Sequence, residues 1–232
     1  MEHRTATRAD WLSERMTLLS REKEFNQARD ALSAARRELP WVLVEKDYQF
    51  ESTAGQLSLS EMFAGKDQLV VYHFMFGTDW DEGCTSCSFW IDNLNGISPH
   101  LAARDTAFAL VSKGPLEKLH AYRTRMGWSQ PWYSSANTDF NEDYQVTFPK
   151  ADRDAGDVTY NYRQTQMGMS DMVGISVFAK DKSGKVFHTY STYSRGVDML
   201  NGAYHILDLT PLGRNEADLP WQMAWLKRHD QY

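Results

Sequence analysis

The chain has 232 residues, 42% of them hydrophobic and 24% charged, with a formal net charge of −6. This is the composition of a soluble globular protein: no apolar stretch nears the ~20 residues of a membrane span, and the acidic balance without a dense Lys/Arg patch argues against nucleic acid as main partner. The first residues, Met1-Glu2-His3-Arg4-Thr5-Ala6, lack the apolar core of a signal peptide, so a reducing cytoplasm is the expected compartment.

From about Asp10 to Leu39 the pattern predicts one long helix. Trp11, Leu18, Phe25, Leu32 and Leu39 recur every seven residues among Arg, Glu, Lys, Asp and Gln, and Pro40 ends the run. So narrow a stripe serves either to lay the helix across its own domain or to pair it with a second copy as a homodimer. Short strands follow near Tyr48-Gln49-Phe50 and Gln56-Leu57-Ser58-Leu59. Leu69 to Phe76 is apolar on both faces, as a central strand covered by helices should be. A loop, Gly77-Thr78-Asp79-Trp80-Asp81-Glu82-Gly83, leads into a helix opening at Cys84. A buried strand at Ala107 to Ser112 and a helix from Pro115 to Arg123 complete a parallel strand–helix–strand unit.

The stretch from about 128 to 172 is polar and turn-rich, and predicts long loops around a short helix near Asp139 to Tyr144. Order returns with a hairpin, Gly174 to Ala179 and Lys185 to Tyr190, around Asp181-Lys182-Ser183-Gly184. A helix from about Val197 to Leu207 and a C-terminal tail close the chain. Residues 1–40 are thus expected to form a helical arm and 41–232 a single α/β domain with an irregular insertion around 128–172.

Cys84 and Cys87 are the only cysteines. In a reducing compartment such a pair points to redox or metal chemistry, not to a structural staple. Placed three apart at a helix start they can close into a disulfide, and the helix N-terminus favours the thiolate. A strand–helix–strand unit carrying Cys-x-x-Cys, then a long connection, a hairpin and a final helix, is the layout of the thioredoxin-like fold: a central mixed sheet flanked by helices, here with a long N-terminal helix and a C-terminal extension. In that setting Cys84 is the expected attacking nucleophile and Cys87, one turn in, the resolving thiol. No cofactor is needed beyond the redox-active disulfide. The implied partners are a thiol or disulfide substrate and an electron donor, neither identifiable from sequence.

Several neighbours are candidates for tuning. Asp79, Asp81 and Glu82 raise the Cys84 pKa if they face the sulfurs and form a charged rim if they face solvent. Trp80 shields the disulfide or anchors the loop. His73 reads as a proton carrier for Cys87, a third metal ligand, or a buried histidine satisfied by backbone. His188 and Arg195 line the thiol face or mark ordinary edge-strand polarity.

The runs Tyr72-His73-Phe74-Met75-Phe76-Gly77, Asp79 to Cys84 and Cys87-Ser88-Phe89-Trp90 resemble the signature of a family of bacterial thioredoxin-like proteins described as predicted dithiol–disulfide oxidoreductases. Further matches lie in Tyr122 to Trp128, Val186 to Tyr193, Arg195-Gly196-Val197-Asp198 and Leu207 to Arg214, so the resemblance covers nearly the whole chain. It implies the fold and the redox motif, but no substrate. Thioredoxins carry a cis-proline before the hairpin strand; here that place is taken by Val173, Gly174 and Ile175, which puts thioredoxin-type peptide docking in doubt.

Two other readings compete. Peroxidatic cysteines of peroxiredoxin-like peroxidases follow a Thr or Ser three residues earlier, whereas Asp81 precedes Cys84 and Cys84 precedes Cys87. A zinc site normally needs four ligands, and no second Cys/His pair stands at ligand spacing, which leaves a metal-binding or non-catalytic thioredoxin-like protein as the remaining alternative.

Overall fold

A computed structural model describes residues 3–232. The described chain divides into two compact units, one ending at Pro40 and the other running Trp41–Tyr232. The first is helix α1, Arg8–Arg37. Thr7 caps it, its side chain accepting from the Asp10 N–H at 3.2 Å, with Asp10 in the first turn and Arg36 and Arg37 in the last, the polarity the helix dipole favours. It stops short of Leu39 because the residue before a proline is pushed out of the helical region. None of its residues is buried.

The second unit opens with β1 (Val42–Leu43) and the hairpin β2 (Gln49–Ser52) and β3 (Gly55–Ser58). Then β4 (Gln68–His73), α2 (Thr85–Leu94), α3 (Ser98–Ala102), β5 (Thr106–Ser112) and α4 (Leu116–Arg125) form the strand–helix–strand–helix unit the pattern predicts. Next come β6 (Trp132–Ser134), α5 (Phe140–Asp143), α6 (Lys150–Ala155) and a small separate hairpin of β7 (Val158–Tyr160) and β8 (Arg163–Thr165). Strands β9 (Gly174–Lys180) and β10 (Val186–Tyr193) and helix α7 (Gly202–Leu207) complete the unit. The predicted helix from Val197 divides: a 3-10 turn over Ser194–Leu200, then Asn201, whose side chain accepts from the Tyr204 N–H to cap α7.

The main sheet has eight strands in the order β1-β10-β9-β4-β5-β6-β2-β3. Strand β4 runs parallel to β5 and antiparallel to β9, which is antiparallel to β10. That order and those directions, with a helix between β4 and β5 and another after β10, are the thioredoxin-like fold. The stretch after 128 is less irregular than its polarity predicts, because β6 extends the sheet parallel to β5. Three residues carry too little alternation to be seen in sequence.

Strand β4 explains why the site forms where it does. Leu69 and Val71 join the cluster of Phe50, Phe63, Phe140 and Phe178 on one face of the sheet. Tyr72 joins Cys87, Trp90 and Ile91 on the other. Helix α2 buries Cys87, Ser88, Trp90, Ile91 and Leu94, the helical spacing of one face, and the Trp90 indole donates to the Val197 carbonyl at 2.9 Å. The tail after α7 is pinned by Glu216, whose Oε1 accepts from the Tyr204 hydroxyl at 2.8 Å, the Trp225 indole at 2.7 Å and the Met223 N–H at 3.1 Å. No helix among the described residues is long and apolar enough to cross a membrane.

Candidate active site

The helix predicted to open at Cys84 begins at Thr85, with Cys84 as its N-cap. A sulfur therefore does what a serine or aspartate oxygen usually does there: Cys84 Sγ accepts the Cys87 backbone N–H at 3.5 Å. Its backbone is held on both sides. The Cys84 N–H donates to the Met75 carbonyl at 3.1 Å, and its carbonyl accepts from the Ser88 N–H at 2.9 Å and the Ser88 hydroxyl at 2.8 Å. Cys84 is half-buried, Cys87 is only 2% exposed, and both are free thiols.

The two thiols have opposite electrostatics. The Cys84 thiol is pushed down to about 7, first by the Cys87 thiol proton and then by the N–H groups of Cys87 and Ser86 and the charge of Arg228, against the upward push of burial. Burial drives the Cys87 thiol up, and the neighbouring Cys84 adds to it. Near neutral pH the half-buried thiol is thus the one that ionises readily, and the buried one stays protonated beneath it. The Tyr72 hydroxyl, fully buried, has no hydrogen-bond partner of ordinary geometry, yet it acts on Cys87 in the direction that favours its thiolate.

The acidic loop is a rim. Asp79 is exposed, Asp81 is exposed and pairs with Lys118 at 3.2 Å, and Glu82 is bound by Arg125 and, at 2.9 Å, by Arg228. Trp80 packs on the cluster that contains Cys87, and its indole lies over Gly77, where a Cβ would stand 3.0 Å from Nε1. Gly77 to Trp80 also line an open cleft of about 660 Å³, together with Lys113, Arg153 and the buried Asp171.

Gly83 is required by close approach. A Cβ there would stand 2.7 Å from Phe74 Cε1 and 2.9 Å from Tyr122 Cε1, both rings buried. Gly83→Ala is expected to destabilise the fold by about 1–3 kcal/mol, the cost of overpacking a filled core. Chemical denaturation measures this, and slower alkylation of Cys84 in the same variant would register the displaced loop.

His73 is a buried histidine whose partner is a side-chain hydroxyl and not the backbone, and His188 does not line the thiol face. His73 follows Tyr72 in β4, so the alternation of the strand turns it to the face away from the thiols. There its Nε2 is 2.8 Å from the Ser176 hydroxyl and its ring stacks on Tyr144. His188 belongs to the same face, 2.7 Å from the Ser191 hydroxyl and edge-on to Tyr144. Ser176 and Ser191 are themselves 2.8 Å apart, so the four side chains form one hydrogen-bonded row across β4, β9 and β10. Neither histidine serves the cysteines. Arg195 is exposed and pairs with Asp198 at 3.0 Å, so it too is not at the thiols. Val173 and Ile175 do pack on the cluster that holds Cys84 and Cys87. Gly174 pairs with His73 across the sheet, where a Cβ would stand 2.7 Å from the Tyr193 ring. Among the described residues no group of three or more His, Cys, Asp or Glu could hold a metal ion.

Sequence reasoning missed Arg228, Tyr122 and Ser88. Arg228 Nη2 donates to the Gly83 carbonyl at 2.8 Å and its Nε to the Tyr122 hydroxyl at 2.8 Å, across 145 and 106 residues of chain. Nothing near Arg228 in sequence marks it. Ser88 had a readable signal: a polar residue four after Cys84, on the buried face of α2.

A dithiol at the N-terminus of the first helix of a thioredoxin-like sheet is the class of centre these elements build. The chain belongs to the family described as "Bacterial protein of unknown function (DUF899)", whose model matches residues 1–232. No curated protein matches it. It is similar to solved structures of the Xanthomonas campestris bacterioferritin comigratory protein, at 13% identity and a TM-score of 0.47 over 72% of this chain and 96% of that one. The Mycobacterium tuberculosis peroxidoxin BcpB is similar at 14% identity and a TM-score of 0.46, over 70% of this chain and 92% of that one. The strand order and directions carry the fold assignment without these similarities.

Proposed function

We propose that the protein is a thiol–disulfide oxidoreductase in which Cys84 attacks and Cys87 resolves. The observation that carries this reading is the split between the two sulfurs: a half-buried Cys84 lowered to about 7 and a buried Cys87 raised above its ordinary value, one helical turn apart. In the oxidising direction for the protein, the Cys84 thiolate forms a bond to one sulfur of a substrate disulfide, and the other sulfur leaves as thiolate. Cys87 then gives up its proton and attacks Cys84 Sγ; the Cys84–Cys87 bond forms, and the substrate's second thiolate departs. The substrate gains two electrons and the protein dithiol loses two, to be restored by an external dithiol reductant.

Burial of Cys87 keeps it from competing for substrate, and Tyr72 is the hydroxyl positioned to favour its thiolate when it attacks. The cleft along Gly77 to Trp80, the loop that leads into Cys84, offers room for a substrate chain. The compartment that suits such a reversible pair is a reducing cytoplasm.

The test is a thiol–disulfide redox titration of the full chain, read by free-thiol counting. One two-electron transition without intermolecular cross-links is expected; its absence would sink the reading. Hydrogen peroxide consumption, measured in parallel, is expected to stay near background, because the side chain three residues before Cys84 is Asp81, turned outward to Lys118.

A further inference from the structure

The C-terminal tail returns to the nucleophile. Arg228 spreads three contacts over the approach to Cys84: Nη2 to the Gly83 carbonyl at 2.8 Å, Nε to the Tyr122 hydroxyl at 2.8 Å, and Nη1 to Glu82 at 2.9 Å. The proton directions of the adjoining hydroxyls follow. Ser88 has a single hydroxyl proton, and it goes to the Cys84 carbonyl at 2.8 Å. The Tyr122 proton therefore goes to Ser88 Oγ, 2.8 Å away, and the Tyr122 oxygen accepts from Arg228. The result is a closed circuit of hydrogen bonds, from the Gly83 carbonyl through Arg228, Tyr122 and Ser88 to the Cys84 carbonyl, enclosing the nucleophile's own backbone.

The arginine is held in place from the tail side as well. His229 Nδ1 lies 2.7 Å from Asp92 of α2, and Asp230 pairs with Arg125 of α4 at 2.7 Å. The Trp225 ring meets Phe89 edge-on at 5.8 Å between centroids. A guanidinium fixed on a planar fork loses little further freedom in serving this site.

We propose that Arg228 is the positioning residue for Cys84: its fork fixes the Gly83–Cys84 peptide, and its charge, shared with Glu82, adds to the groups that make Cys84 ionise more readily. The proposal rests on the dithiol reading above. The groups facing Cys84 are Cys87 from α2, Tyr72 from β4 and Arg228 from the tail, with Glu82 and Arg125 beyond the last. Arg228 lowers the Cys84 pKa, the same sense as its charge requires. Glu82 partly cancels that charge, so removing either partner should move Cys84 in opposite senses. A purely structural clamp has no such signature.

The experiment uses the full chain in a Cys87→Ala background, so that Cys84 is the single thiol, and follows the rate of iodoacetamide alkylation against pH. Arg228→Gln should raise the alkylation midpoint by about half a pH unit, roughly a two-fold loss of thiolate near the midpoint of the Cys87→Ala parent. Arg228→Lys should recover about half of that shift, since it keeps the charge but not the fork. Glu82→Gln should lower the midpoint. An unchanged midpoint in Arg228→Gln, or a shift of the same sign in Arg228→Gln and Glu82→Gln, overturns the proposal. If Arg228→Gln does not fold, Glu82→Gln decides alone: a lowered midpoint supports it, and an unchanged or raised one overturns it. Alkylation needs no disulfide partner, so failure here stays distinct from a missing two-electron transition, which would strike the oxidoreductase reading instead.

Discussion

Cys84→Ser is expected to abolish the proposed disulfide exchange, lowering its rate by about three orders of magnitude or more, because a serine hydroxyl is not ionised near neutral pH and the buried Cys87 is not placed to stand in for it. The two thiols are three residues apart, yet only one is accessible enough to meet a substrate: Cys84 is half-buried at the helix cap, whereas Cys87 is 2% exposed under it and its thiol is raised by burial. Cys87→Ser therefore has a different outcome. The first attack proceeds, the second sulfur is missing, and a covalent mixed disulfide accumulates on Cys84. Non-reducing mass spectrometry after exposure to a small aromatic disulfide separates the two variants: no adduct on Cys84→Ser, a stoichiometric one on Cys87→Ser. An adduct on Cys87 in the Cys84→Ser protein would reverse the assignment of attacker and resolver.

The second large effect lies on the other face of the sheet. Burial presses His73 down to about 3, with the neighbouring His188 adding to the push. In the unfolded chain an ordinary histidine takes up its proton near 6.5. Between those values the unfolded state binds a proton that the folded state refuses, so stability rises with pH across the interval. The contribution is fully present above about 6.5 and is lost progressively as the pH falls toward 3. By pH 4.5 the loss from this one group is on the order of 2–3 kcal/mol. His188, also lowered by burial, acts in the same sense. Exposed carboxylates change the pH dependence too, and the comparison must cancel them. His73→Gln does so: it keeps a hydrogen-bonding partner for Ser176 and removes the titration. Urea denaturation of both proteins at pH 7.5 and 4.5 should show the wild type losing about 2–3 kcal/mol more than the variant. Equal losses would mean that His73 is protonated in the folded state.

The two thiols and His73 also mark how far the site was legible. Cys84 and Cys87 stood out by spacing, by rarity and by a place between an apolar strand and a helix. Those are local properties, and local geometry then dictates the chemistry: an N-cap sulfur receives N–H donors wherever the helix goes. His73 looked equally close, being next to Tyr72 in the same strand, yet a period of two sends neighbours to opposite faces. The strand is legible in the sequence, although it ends at His73 and not at Phe76, but which parity faces the cysteines depends on which side of the sheet α2 packs. The acidic loop posed the same difficulty. Asp81 and Glu82 turn away from the sulfurs because Lys118, Arg125 and Arg228 hold them, and two of those cations come from a helix more than thirty residues later and the third from the tail.

By itself, then, the sequence determined the order and type of the central elements, because burial on one helix face leaves a periodic trace and burial on both strand faces leaves an unbroken apolar run. It determined the dithiol as well. Only the tertiary structure decided the electrostatic surroundings of that dithiol. A charge acts through space over a few ångströms, and the chain that brings Arg228 to Gly83 is 145 residues long, with no periodicity in it that records where it ends.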